Sequence, residues 1–254
     1  MRQVIAGFVL ASMAVLSLAL LSLGATAEAE ETSWHETCLA QEHPEFAFGD
    51  DRLPADARPL FGCAERSGAR EDADAQFVEK LQHDGDTDLD TARELIRLGW
   101  KWIGLRQPGS AINRFNLAWR YAPEDGDVYH GIAVTMAELG QPAEVIDYWF
   151  AQAVSKPQGR PGRFADYGRY MVAGRRHAEA RPVLIRALEL EPENAWAMMY
   201  LADVHFWLEE RREGCAMILR ILDTSPPKGF PQVEFDKLLE HWRNRAAVSK
   251  CPTG

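Results

Sequence analysis

The chain has 254 residues, 46% of them apolar, and a formal net charge of −10. That composition is globular; it is not that of a disordered or collagen-like chain. The charge is uneven: residues 28–90 hold 18 acidic and 5 basic side chains, and the remainder is close to neutral. An acidic leader on a near-neutral body argues against phosphate-backbone binding by the whole chain, so no nucleic-acid partner is expected. The leader itself reads as a solvated, partly ordered segment.

In chain order, Met1-Arg2 precede an apolar run from Val4 to Leu23 and then Ala25-Thr26-Ala27. This is the pattern of a secretory signal peptide over 1–27, cut after Ala27, which predicts a periplasmic or secreted protein with no membrane span left after cleavage. The run is 20 residues long, so a retained membrane anchor is the alternative. All four cysteines, Cys38, Cys63, Cys215 and Cys251, lie beyond the cleavage point, and in an oxidising compartment they are expected to form disulfides. Of the three possible pairings, Cys38–Cys63 with Cys215–Cys251 staples each end of the chain to itself. The rival is a metal site from His35, Cys38 and His43, a weaker pattern because one cysteine and two histidines lack the usual zinc spacing.

Residues 28–71 carry Pro44, Pro54, Pro59 and scattered aromatics without a sustained period, which predicts an irregular acidic extension held on by its aromatics. Over 72–90 the pattern turns helical. Ala73, Phe77, Val78 and Leu81 predict a short helix over 73–82 that lids the following face, with an acidic linker after it. The aspartates at 84, 86, 88 and 90 resemble a calcium loop only in their alternation. Leu89 and Leu95 stand where an EF-hand needs glycine and glutamate, so these residues read as helix-start acids, with Thr91 and Glu94 as a capping box.

From Ala92 a pattern repeats. A small residue recurs at Gly99, Ala133, Gly168 and Ala202, and a proline at Pro123, Pro157, Pro192 and Pro226, each series with spacings of 34, 35 and 34. Phe115, Trp149, Leu184 and Ile218 hold a large position in the second helix of each unit, and Ala111, Val145, Ala180 and Gly214 a small one. Small residues let two antiparallel helices approach where they cross, and each proline closes the second helix. This pattern resembles the tetratricopeptide repeat (TPR). The resemblance implies an all-α fold: a right-handed superhelical solenoid of about four helix-turn-helix units, TPR 1 at 91–124, TPR 2 at 125–158, TPR 3 at 159–193 and TPR 4 at 194–227. One residue is gained around Gln158–Gly162. Phe235, Leu238, Leu239, Trp242 and Ala246 share one helical face and predict a capping helix starting near Pro231 within 228–254, with Arg243, Asn244 and Arg245 in solvent.

The resemblance further implies that the first helix of each pair lines a concave groove. Arg93, Trp100, His130, Arg169, Met199, Asp203, Phe206 and Trp207 are then the expected partner-binding residues, apolar enough to anchor a peptide or helix of an envelope protein. Two alternatives stay open: the fourth-repeat aromatics pack under the terminal helix, and His130 and Arg169 are simply solvated. Ile96 and Trp100 occupy positions where versions that clamp chaperone tails carry lysine or asparagine, so that role is not expected. No G-x-S-x-G, H-E-x-x-H, P-loop or G-x-G-x-x-G is present. His205 is expected to be a hydrogen-bonded core residue and His177 a solvated turn residue. The expectation is a scaffold or adaptor for protein–protein interaction, without catalytic residues, metal or cofactor. The alternative is a structural or self-associating subunit of a larger assembly that uses its convex face or acidic leader.

Overall fold

Small residues decide how the helices of this chain meet. In the computed structural model, which describes residues 34–66, 68–226 and 231–252, four helix pairs follow one another: α3 (Asp88–Gly104) with α4 (Pro108–Tyr121), α5 (Gly126–Glu138) with α6 (Ala143–Ser155), α7 (Gly162–Ala173) with α8 (His177–Leu190), and α9 (Ala195–Trp207) with α10 (Arg211–Leu222). The apolar leader and its cleavage point lie outside these residues. A Cβ on Gly99 would lie 2.6 Å from the Phe115 ring, and one on Gly168 would lie 2.3 Å from Leu184. The small and large positions of the repeat therefore meet inside the first and third pairs. Ala133 and Ala202 are fully buried, as are Phe115, Trp149, Leu184 and Ile218. Each pair packs on the next, and the first helices α3, α5, α7 and α9 also touch in succession, giving an all-α solenoid. Among the described residues there is no strand, and no helix is long and apolar enough to cross a membrane.

The turn inside each pair is one device used four times. Arg106, Gly140, Arg175 and Glu209 have φ of 55°, 65°, 61° and 62°, and the residue after each donates back to the first helix (Gln107 to Trp102, Gln141 to Met136, Arg176 to Met171, Glu210 to His205). This is a Schellman-type ending, usually served by glycine; here three of the four copies use a larger residue.

Two details of the first repeat differ from expectation. The capping box is Thr87 with Asp90, not Thr91 with Glu94. Thr91 is buried one turn later, its hydroxyl accepting from Gln82, while Glu94 pairs with Arg97. The preceding helix, α2, runs from Ala69 to Glu79, and it buries Asp74 and Val78, with Ala73 exposed. Asp74 goes inside because Arg66 meets it at 2.5 Å.

From Trp34 onward the acidic extension is not a solvated leader. After α1 (Trp34–Ala40) it makes short 3-10 turns at Glu45–Phe48, Ala55–Ala57 and Pro59–Cys63, and these pack on α4 and α6, the second helices of the first two repeats. Ala47, Leu60 and Phe61 are fully buried in the main core. Specific bonds hold them: Trp149 Nε1 donates to Ala47 O at 2.7 Å, Leu60 N to Asn116 Oδ1 at 2.7 Å, and Asn116 Nδ2 to Arg58 O at 2.8 Å. Leu60, Phe61, Gly62 and Cys63 all have φ between 48° and 67°. A left-handed run costs non-glycine residues about 1–2 kcal/mol each, offset here by the burial of two large side chains. The Cys38–Cys63 disulfide closes the extension, and Cys215–Cys251 closes the other end. Cys38 is thus not available as a metal thiolate, and His43 is bonded through Nδ1 to Tyr148 Oη.

At the C-terminal end α11 (Gln232–Val248) starts after Pro231. Phe235, Leu239, Trp242 and Ala246 are buried with Met198, Met199, Ala202 and Ile218 in a second core distinct from the main one. Leu238 is half-buried and Arg243, Asn244 and Arg245 are exposed.

Candidate functional site

The side lined by first helices carries one continuous chain of contacts across three repeats. Trp100 on α3 is half-buried, its ring edge-on to Phe115 and 4.8 Å from the His130 ring on α5. His130 Nε2 lies 3.0 Å from Asp166 Oδ2 on α7, and Arg169 Nε donates to Asp166 Oδ1 at 3.3 Å. Burial pushes the Asp166 carboxyl up, but the hydrogen bonds from His130 and Arg169 and the charge of Arg169 outweigh it and hold the group below its ordinary range.

The residue gained in the third repeat builds a loop over 156–161 onto the start of α5. Gly126 N donates to Gln158 O. Arg160 N and Nε donate to Asp127 Oδ1 and Oδ2 at 2.9 and 2.8 Å. From below, Arg163 donates to the carbonyls of Lys156 and Arg160. Arg163 is 5% exposed, and its desolvation lowers its pKa. The loop sets Arg160 beside Trp100, 5.9 Å from the ring centroid. On one side of this pair is a cleft of about 720 Å³ bordered by Arg93, Ile96, Arg97 and Asp125. On the other is one of about 340 Å³ bordered by His130, Arg163, Asp166 and Glu191. Helix α2 does not cover Trp100: it packs Phe77 under Arg114 and pairs Glu71 with Arg120, both on α4.

No protein-family model and no curated protein matches the chain. A structure of Pseudomonas aeruginosa pilF is similar in fold, with a TM-score of 0.51 at 19% identity over 63% of this chain and 72% of its own. YrrB, a TPR protein with an unusual peptide-binding site, aligns over 70% of this chain and 81% of its own at 15% identity, with a TM-score of 0.49. MamA from Desulfovibrio magneticus RS-1 aligns over 63% and 87% at 16% identity, with a TM-score of 0.47. The chain has the tetratricopeptide-repeat fold.

The expected groove residues of this TPR array do not form one surface. Arg93, Trp100, His130 and Arg169 line the first-helix side of repeats one to three. Met199 is 4% exposed and belongs to the second core, because α11 covers that side of α9. Asp203, Phe206 and Trp207 make a separate patch. There Arg245 of α11 lies 5.1 Å over Phe206 and 4.0 Å from Asp203, whose pKa is raised by burial against the opposing charge of Arg245. Trp207 is 57% exposed and stacks on His177 at 4.6 Å. His177 is therefore half-buried under an indole and not the solvated turn residue expected. His205 is buried and bonded to Glu210 at 2.7 Å. His130 is likewise buried, at 5% exposure, and not solvated. Asp166, Arg160 and Asp127 were not singled out by sequence. Their signal was faint: an acid three residues before Arg169, and an arginine inside the one-residue insertion.

Proposed function

We propose that the chain is a non-catalytic adaptor that holds a peptide segment of a partner protein against the first-helix side of TPR 1 to TPR 3. The observation that carries this reading is Trp100: a half-exposed indole between two clefts, fixed from behind by Phe115 and His130. Aromatic residues backed in this way are common anchors of interfaces. The second helices of the first two repeats are already occupied by residues 34–66, which favours the inner side over the convex side for a partner there. Two disulfides fit an oxidising compartment, and with the apolar leader they support an exported protein with a partner in the cell envelope.

A photo-crosslinking residue at exposed Arg93, introduced in the native cell, tests this. It is expected to capture a partner that is lost on Trp100→Ala while the helical circular dichroism is unchanged. Equal capture from position 219 on α10 refutes the assignment. The second reading, self-association, draws on exposed Leu219, Val233 and Val248 at the C-terminal end (41%, 67% and 80% exposed). A concentration-dependent sedimentation coefficient would favour it.

A further inference from the structure

Among the described residues, three side chains bordering the smaller cleft hold a buried polar atom without a partner: Trp100, His130 and Arg163, whose Nε packs toward Gly126. Trp100 Nε1 and His130 Nδ1 are both shielded from water and make no hydrogen bond, and both side chains line the 340 Å³ cleft. His130 is only 5% exposed. Leaving such groups bare is unfavourable, and a ligand that meets them recovers the loss.

Their chemistry is opposite. An indole N–H can only donate. Asp166, with its carboxyl held ionised by the His130 and Arg169 contacts, can only accept. His130 Nε2 therefore carries the ring hydrogen in their 3.0 Å bond, and in the neutral ring Nδ1 is left as a lone pair. The two rings are 4.8 Å apart between centroids and border the same cleft, so the pair offers one donor and one acceptor to a ligand that reaches them. A carboxylate would bring a second lone pair to His130 Nδ1, and an ammonium would bring only donors. A peptide unit brings one of each. Trp100 and Arg160 border both clefts, so a segment that fills both must run its main chain past this pair.

We propose that Trp100 and His130 read a main-chain amide of an extended peptide: its carbonyl accepts from Trp100 Nε1 and its N–H donates to His130 Nδ1. Asp166 acts as a positioning residue that sets the His130 tautomer. The proposal rests on the reading of the first-helix side as a peptide site and adds what that site recognises.

The test uses short random peptides selected on the oxidised protein by display, with the best binder resynthesised carrying an N-methyl group at each backbone nitrogen in turn. One position is expected to lose about tenfold in affinity against flat neighbours, the size of a hydrogen bond to a buried group with its partner left unpaired. The indole N–H resonance of Trp100 is expected to move on peptide addition. Trp100→Phe, which keeps a ring but removes the donor, is expected to weaken binding about threefold to tenfold. A bound peptide with a flat methylation scan, an unmoved Trp100 resonance, or dependence on an asparagine or glutamine side chain instead overturns this inference and leaves the peptide site standing. If no peptide is enriched, both fall.

Discussion

Gly131→Ala separates packing from helix propensity with a change of sign. Gly131 lies inside α5, where alanine is normally worth about 0.5–1 kcal/mol over glycine. Here the added Cβ would stand 2.1, 2.3 and 2.4 Å from Phe115 Cε1, Cδ1 and Cζ, far inside the ~3.5–4.0 Å of carbon contact. The ring has little room to retreat, because it packs so closely on α3 that even a Cβ on Gly99 would stand 2.6 Å from it, and it is fully buried. Overpacking of this kind costs about 1–3 kcal/mol, so a net destabilisation of about 1–2 kcal/mol is expected from the two opposing contributions. In a Phe115→Ala background the obstruction is gone and the same substitution should be neutral or stabilising by up to about 1 kcal/mol. Urea unfolding of the four oxidised proteins, followed by circular dichroism, measures the cycle. A stabilised Gly131→Ala single variant, or equal effects in both backgrounds, refutes the claim that one ring wedges α3, α4 and α5 together.

Three further outcomes are expected. Arg106→Gly, Arg175→Gly and Glu209→Gly should each raise stability by up to about 1 kcal/mol in the same assay, since each relieves a left-handed non-glycine residue at a helix end. Asn116→Ala strips the partners from Leu60 N and Arg58 O, both on the buried side of the extension; about 2–4 kcal/mol should be lost, with faster amide exchange at Leu60 than in α7. Asp166→Asn bears on pH. The carboxyl titrates below its ordinary range in the folded chain, so its contribution to stability is present above the ordinary carboxylate range and is lost as pH falls through the lowered value. The variant should be less stable near neutrality and should lose less on acidification; parallel stability–pH curves would contradict this.

The repeat architecture was legible because the same crossing geometry is built four times, so the same side-chain sizes recur at Gly99, Ala133, Gly168 and Ala202. The turn device was not, because only Gly140 of its four copies is a glycine; Arg106, Arg175 and Glu209 adopt the left-handed conformation without the residue that advertises it. A threonine with an acid three residues later occurs twice in a row, at Thr87–Asp90 and Thr91–Glu94, and sequence alone does not separate them. Arg97 does, by drawing Glu94 away. The extension resisted reading for a different reason. It has no period, and its attachment depends on single bonds between distant residues, such as Trp149 to Ala47 across 102 positions. At the site, Trp100 was visible as an aromatic on a first helix. The burial of His130 depends on Asp166, 36 residues further on, and on a loop made by one inserted residue.

Helix α9 belongs to two cores at once. Ala197, Leu201 and Val204 sit in the main one, while Met198, Met199 and Ala202 sit in the one closed by α11 and the Cys215–Cys251 bridge. Cooperativity in a repeat array passes only between neighbours, so this helix, with Leu188 of α8 and Met217 of α10 packed against both cores, is the seam through which the C-terminal end is coupled to what precedes it. Reducing that bridge loosens α10 and α11 as a local unit, on the far side of the seam from Trp100, and the clefts of the first three repeats keep their walls while the tail of the array opens.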